Sequence, residues 1–250
     1  MSGHSKWATI KRKKSVVDAK RGALFTKLIR EITVSARAGG EDLNSNPRLR
    51  TAVLKAKENN MPNDNIDRAI KKGTGSLEGV TYEEIRYEGY GPGGVAIMVD
   101  CLTDNRNRTT PEIRTIFSKN GGNLGETGCV GYNFERKGVV HVDAGAIAED
   151  NLMELLLDFD IHDIRTEDKV IVVTTSPEAY NDVYGAIKNK GLATAYNEIT
   201  FLPKSTVSLN EKTAQQCLRL IDLLDDHDDV QNVYSNYDIP DEVMMVLGEA

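Results

Sequence analysis

The sequence predicts an α+β protein with a separate helical unit in front, and three observations carry that expectation. The apolar period changes from 3.6 residues to two near residue 75, so helices give way to strands. Charge divides at the same place. Residues 1–72 hold 17 Lys and Arg against 7 Asp and Glu, a net of +10, while the remainder nets −17. From Val139 to Phe201 the elements run β-α-β-β-α-β, the pattern of a ferredoxin-like sandwich. The expected plan is an N-terminal three-helix domain over 1–77 followed by two α+β (ferredoxin-like) domains. The first is discontinuous, 78–138 plus 203–240, and the second, 139–202, is inserted in it.

Each element has a local reason. From Asp18 to about Ala38, Leu24, Phe25, Leu28, Ile29, Ile32 and Ala36 share one helical arc, and Lys20, Lys27, Arg30 and Arg37 share the opposite one. Asp18 is the expected N-cap, and Gly39-Gly40 end the helix. A second helix opens at Asn46-Pro47, a capping residue followed by a proline where no N–H is needed. A third starts around Pro62 and closes at Lys71-Lys72-Gly73. Gly73-Thr74-Gly75-Ser76 reads as a linker. Strands Tyr82–Glu88 and Val95–Leu102 then flank the glycine-rich run Gly89–Gly94 as a hairpin. A helix is expected over Thr110–Asn120 with Pro111 at its start, then strands at Val130–Phe134 and Val139–Val142. Next come a helix (Ile147–Asp158), strands (Asp163–Arg165, Val170–Thr174), a helix (Pro177–Lys190) and strands (Thr194–Phe201, Ser205–Leu209). A long helix (Glu211–Asp225) and a last strand (Val230–Tyr234) complete the reading.

Composition excludes several classes. Hydrophobic residues at 40% and charged residues at 28% make an ordinary globular balance. Cys101, Cys129 and Cys217 are far apart and form no C-x-x-C pair, so neither a disulfide framework nor a zinc site is indicated, and reduced thiols in a cytoplasmic protein fit best. No apolar run approaches the ~18 residues of a membrane span. The basic opening residues lack the apolar core of a secretory signal, and Lys11 to Lys14 are contiguous rather than spread along one helical face as in a transit peptide.

The strongest chemistry lies at the front. Lys6 and Trp7, the only tryptophan, precede Lys11, Arg12, Lys13 and Lys14, four adjacent cations that repel one another without a polyanion. Cations beside an aromatic suit a phosphate backbone with stackable bases. Lys20, Arg21, Lys27, Arg30 and Arg37 extend the basic surface along the first helix. Lys71 and Lys72 have a structural reason to be cations, since they end a helix. Arg106 and Arg108, in Asp104–Thr109 between a strand and a helix, are further candidates for nucleic acid, against the plain reading of a polar loop in which Thr109 or Thr110 caps the helix.

Other motifs weigh toward plain structure. Gly89-Tyr90-Gly91-Pro92-Gly93-Gly94 satisfies G-x-G-x-x-G, but a dinucleotide site needs a helix to follow, and here a strand does. No phosphate-binding P-loop motif occurs. Asp225-Asp226-His227-Asp228-Asp229 holds carboxylates suited to a divalent cation, and acids at a helix C-terminus oppose its dipole, yet solvated loop acids are commoner. No metal, cofactor, catalytic residue or small-molecule substrate is expected.

Several stretches together are similar to one family: Met1-Ser2-Gly3-His4-Ser5-Lys6-Trp7, Asp18–Gly22, Met61–Ile66, Tyr87–Gly94 and Gly121–Gly125. In order and spacing they resemble the YebC family, whose mitochondrial relative is a translational activator of cytochrome c oxidase subunit I. The resemblance implies three domains, a cytoplasmic location and a non-enzymatic role in gene expression. Family members are described as DNA-binding transcriptional regulators, and others act at the ribosome on difficult sequences such as proline runs. The residues themselves support polyanion binding without choosing DNA or ribosomal RNA. The lack of a groove-reading helix leans toward the ribosome, the family description toward DNA. The acidic body is left to align the basic segment or to face a basic protein partner.

Overall fold

A computed structural model describes residues 21–248. The expected cap Asp18 and the candidates Lys6, Trp7, Lys11, Arg12, Lys13, Lys14 and Lys20 lie outside the described residues. So does the side chain of Arg21.

Helices α1 (Arg21–Gly39), α2 (Pro47–Glu58) and α3 (Asn63–Gly73) bury the apolar faces that their spacing marks out. Leu28, Ile32 and Ala36 meet Leu49, Ala52, Val53 and Ala56, with Met61, Ile66 and Ala69 closing the core. Helix α2 starts where its cap predicts. Asn46 Oδ1 accepts from the Leu49 N–H at 3.0 Å, and Pro47 takes the first helical position.

The rest of the described chain forms two four-stranded sheets and one two-stranded sheet. Strands β1 (Glu83–Tyr90) and β2 (Ala96–Thr103) make the expected hairpin, in register from Glu83 opposite Thr103 to Tyr90 opposite Ala96. Helix α4 (Arg106–Lys119) leads to a two-residue strand β3 (Asn123–Leu124) beside β1. Strands β4 (Phe134–Asp143), β5 (Ile161–Glu167), β6 (Val170–Thr175) and β7 (Thr194–Pro203) build a second sheet, with α5 (Glu149–Leu155) and α6 (Tyr180–Asn189) between them. Its order, β5-β6-β4-β7, is antiparallel throughout and ferredoxin-like. The chain then returns through β8 (Val207–Ser208) and α7 (Glu211–Asp225) to β9 (Val230–Ser235), which pairs with β2 and completes the first sheet as β3-β1-β2-β9. The α+β class therefore holds, with one sheet built from segments on either side of the other. A short strand β10 (Tyr237–Asp238) pairs with β8, and α8 (Asp241–Gly248) follows.

Strand β2 is buried on both faces. Val95, Ile97, Val99 and Cys101 pack with Ile113, Phe117, Leu220 and Leu224 under α4 and α7. Ala96 and Met98 meet Val130 and Phe134, with Phe201 of the second sheet against them. A separate core of Val140, Val142, Ile171, Val173, Leu152 and Ile187 holds α5 and α6 on the second sheet.

Several expected boundaries need correction. Of the expected strand Val130–Phe134 only Phe134 is strand, Gly131–Asn133 forming a single 3-10 turn, and β4 runs on from Phe134 through the expected strand Val139–Val142. Gly138, between the two expected strands, stays in the ladder opposite Thr175 and Ile199. A Cβ there would lie 2.3 Å from Thr175 Oγ1, so the glycine serves close packing. The helix expected at Thr110 begins at Arg106, because Asn105 Oδ1 caps it through the Arg108 N–H at 3.1 Å. Neither Thr109 nor Thr110 is the cap, and Pro111 sits inside the helix rather than at its start. Helices α5 and α6 are shorter than Ile147–Asp158 and Pro177–Lys190, strand Ser205–Leu209 shrinks to β8, and β3 and α8 were not expected.

Candidate nucleic-acid interface

The basic helical unit is pressed against the acidic remainder, and the contact sorts its cations into two groups. The first group faces inward. Arg30, on α1, reaches Asp229 in the loop between α7 and β9, with Nη1 3.0 Å from Oδ1, and also donates to the Asp228 carbonyl. Lys27, one turn earlier, donates from Nζ to the Asp225 carbonyl at 2.9 Å. Asp225 ends α7, so Lys27 and Arg30 bring positive charge to the negative end of that helix. Arg48, on α2, grips Glu31 and Glu84 with both edges of its guanidinium, at 2.7–3.2 Å. Lys55 Nζ lies 2.8 Å from Glu198 Oε2 on β7, and Tyr184 of α6 donates to Glu58 at 2.7 Å. The helical unit thus touches both sheets.

Asp229 is the centre of this joint. Only 1% exposed, it accepts from Arg30 through Oδ1 and from Arg108 (2.7 Å), Thr109 (2.6 Å) and Thr103 (3.1 Å) through Oδ2. Burial pushes its carboxyl up, but the Thr109, Arg108 and Thr103 donors outweigh burial and hold it below the usual carboxylate value. Arg108 also pairs with Asp104 at 3.0 Å. The acid cluster at the end of α7 is compensated by cations from α1 and α4. Among the described residues no group of His, Cys, Asp and Glu is placed to hold a metal ion. His227 instead accepts the Asp229 N–H on Nδ1 at 3.2 Å and sets Nε2 3.0 Å from Glu112.

The second group faces solvent. Arg37 near the end of α1, Lys57, Arg68 and Lys71 are exposed, as is Arg106 in the first turn of α4. Of the sequence candidates, then, Lys27, Arg30 and Arg108 lie at the joint, whereas Arg37 and Arg106 stand free of it in space. Asp229 was weighed only as a carboxylate for a divalent cation, and Arg48 and Lys55 were not among the candidates. Their partners lie 17 to 199 residues away, beyond any local pattern. The one signal was local: acids at a helix C-terminus call for cations, and those cations came from another element.

The hairpin end of the first sheet is a second exposed feature. Tyr90 ends β1, Tyr132 lies in the 3-10 turn before β4, and the glycine-rich turns Gly91–Gly94 and Gly121–Gly125 adjoin them.

A helical unit docked by ion pairs on two linked antiparallel sheets matches known proteins over nearly its whole length. Residues 5–76 match the model for the TACO1/YebC protein N-terminal domain, and residues 82–237 match the model for the TACO1/YebC second and third domain. This chain belongs to the TACO1/YebC family. A protein of Syntrophobacter fumaroxidans named "Probable transcriptional regulatory protein" is 58% identical over 245 residues, covering 98% of each chain. One of Syntrophus aciditrophicus with the same name is 56% identical over 248 residues, covering 99% of each. The crystal structure of a conserved hypothetical protein from Aquifex aeolicus superposes with a TM-score of 0.79 at 50% identity, covering 90% of this chain and 93% of that one. Among the described residues no helix is long and apolar enough to cross a membrane.

Proposed function

We propose that this protein is a nucleic-acid-binding regulator of transcription that works without catalysis, in the cytoplasm. The observation that carries the reading is the sorting of cations. Those facing the body are met by its acids and carbonyls, whereas Arg37, Lys57, Arg68 and Lys71 of the helical unit face solvent, and the chain's most basic stretch, Lys11 to Lys14, belongs to the same N-terminal segment. Lys6, Trp7, Lys11, Arg12, Lys13 and Lys14 supply the main phosphate and base contacts, joined by Lys20, Arg21, Arg37 and Arg106. Lys27, Arg30 and Arg108 orient that surface by anchoring it to the body. The negative body keeps nucleic acid on one side of the molecule and leaves its own acids to a basic protein partner. The relatives' name agrees with this reading rather than with a ribosomal role.

The test is duplex-DNA binding measured across a salt series, beside co-sedimentation with purified ribosomes at the same near-physiological salt. Saturable duplex binding, with Lys11, Arg12, Lys13 and Lys14 all replaced by alanine giving a slope of log affinity on log salt flatter by about 3 to 4, is expected. Saturable ribosome binding with only weak, sequence-blind duplex affinity would overturn the transcriptional reading.

A further inference from the structure

The hairpin end of the first sheet is built more firmly than an incidental surface needs. Glu88 is 5% exposed, and its carboxylate accepts three backbone N–H groups, those of Gly128 (2.9 Å), Val130 (2.8 Å) and Gly131 (2.7 Å). Burial pushes that carboxyl up, but the three N–H donors outweigh burial and its pKa is lowered, so the anion is the resident form. The loop that Glu88 holds presents Tyr132, which is 72% exposed. Tyr90, 39% exposed, donates its hydroxyl to the Cys129 carbonyl of the same loop at 2.9 Å. Partial desolvation and the Tyr132 phenol beside it hold the Tyr90 hydroxyl above the usual phenol range. A Cβ on Gly89 would lie 2.5 Å from the Asn123 carbonyl, and one on Gly122 2.8 Å from the Tyr90 carbonyl. The neighbouring turn is therefore packed close against the backbone of β1.

We propose that Tyr132 and Tyr90 form a stacking platform for unpaired bases of a nucleic-acid strand. The inference rests on the nucleic-acid reading above and adds a second contact to it. An amphipathic ring held on a rigid loop stacks on any base at small entropic cost. The surroundings favour a nucleic acid over a protein. The loops around the rings offer glycine backbone, Asn123, Thr127 and one exposed acid, Glu126, and none of the exposed aliphatic side chains belongs to them, whereas a protein-binding face would bring some. Lys119, just before Gly121, and Lys212, next to the Thr213 that packs on Gly93, are exposed and supply positive charge. The platform lies about 20 Å along β1 from Glu84, where Arg48 of the helical unit docks, at ~3.3 Å per residue. A duplex, whose bases are already stacked on one another, gains nothing from it.

The experiment compares the full-length protein with Tyr132→Ala and Tyr132→Phe, on a mixed-sequence single-stranded DNA and on the duplex made from it. Tyr132→Ala should weaken single-strand binding about ten-fold or more, and Tyr132→Phe should restore it, with duplex affinity unchanged in both. A single strand carrying 5-bromouracil should cross-link to the peptide holding Tyr132 or to that holding Tyr90. If wild type binds single strands and Tyr132→Ala binds them equally well, the platform is overturned and the face is left to a protein partner. If wild type binds neither single strand nor duplex, the nucleic-acid reading fails, and the platform with it.

Discussion

A carboxylate removed from water persists only where donors replace its hydration, and Asp229 has four side chains doing so. Asp229→Asn keeps the shape but leaves the Arg30 and Arg108 guanidinium groups facing a neutral amide. The expected loss is about 3 kcal/mol, at the low end for a broken buried pair because Arg108 remains half exposed. Urea denaturation should show the midpoint falling with the slope unchanged. The same residue sets an acid limit. Asp229 and Glu88 both have folded pKa values below the ordinary ones, so each contributes stability that is complete above its unfolded pKa and is lost as pH falls through the folded value. Stability should be level toward neutrality and decline below about pH 4. Asp229→Asn should flatten part of that decline, and an acid limb identical to wild type would remove Asp229 from it.

At the scale of the element, Asn46 does more than cap α2. Its Oδ1 accepts from the Leu49 N–H, while Nδ2 donates to the Ser35 carbonyl at 2.8 Å and the Gly40 carbonyl at 2.9 Å, stitching the end of α1 to the start of α2. Asn46→Ala should cost about 2–4 kcal/mol, the loss of a cap plus a buried carbonyl left without its donor. Asn46→Asp keeps the acceptor and loses the donors, so a chemical melt should place it between the two; equal stability of the Asp and Ala variants would mean the cap alone carries nothing. This cap was legible in the sequence because capping is local, and so was α7, whose Asn210 cap and apolar stripe coincide at Glu211–Asp225. The start of α4 was misread for a related reason. Asn105 and Pro111 both carry start signals, and proline was taken as the first residue of a helix that Asn105 had already opened. Strand β4 runs through Gly138, and in sequence a glycine that admits a close neighbour and one that breaks a strand look alike until the neighbour is known. The joint around Asp229 was hidden altogether. Its acids were visible, but the cations that answer them come from α1 and α4, and only the folded topology brings the three together.

At the scale of the whole molecule, the division of charge read from the sequence acquires a geometry. The +10 front and the −17 remainder are neutralised in part by each other, and Lys27, Arg30, Arg48 and Lys55 are spent in that contact. The helical unit has its own buried core, so a fragment of residues 1–75 should keep its helices, which circular dichroism checks. Freed of the body, that fragment presents Lys27, Arg30 and Lys55 to solvent, while Arg48 keeps Glu31, and it no longer sits within the field of the acidic surface, which reaches about 10 Å at 0.1 M salt. It should therefore bind duplex DNA more tightly than the full chain at low salt. Its slope of log affinity on log salt should be steeper by up to about 3, near 0.9 for each extra phosphate neutralised. A fragment that binds tighter with an unchanged slope would mean the body acts through repulsion alone, its ion-paired cations remaining out of reach of phosphates. A fragment that binds more weakly would mean that the body contributes more phosphate contacts than it masks, with Arg106 the first place to look. Replacing Arg106 in the full chain would test that contact, because loss of a phosphate contact lowers the salt slope by about one, whereas replacing Tyr132 should leave both duplex affinity and slope alone.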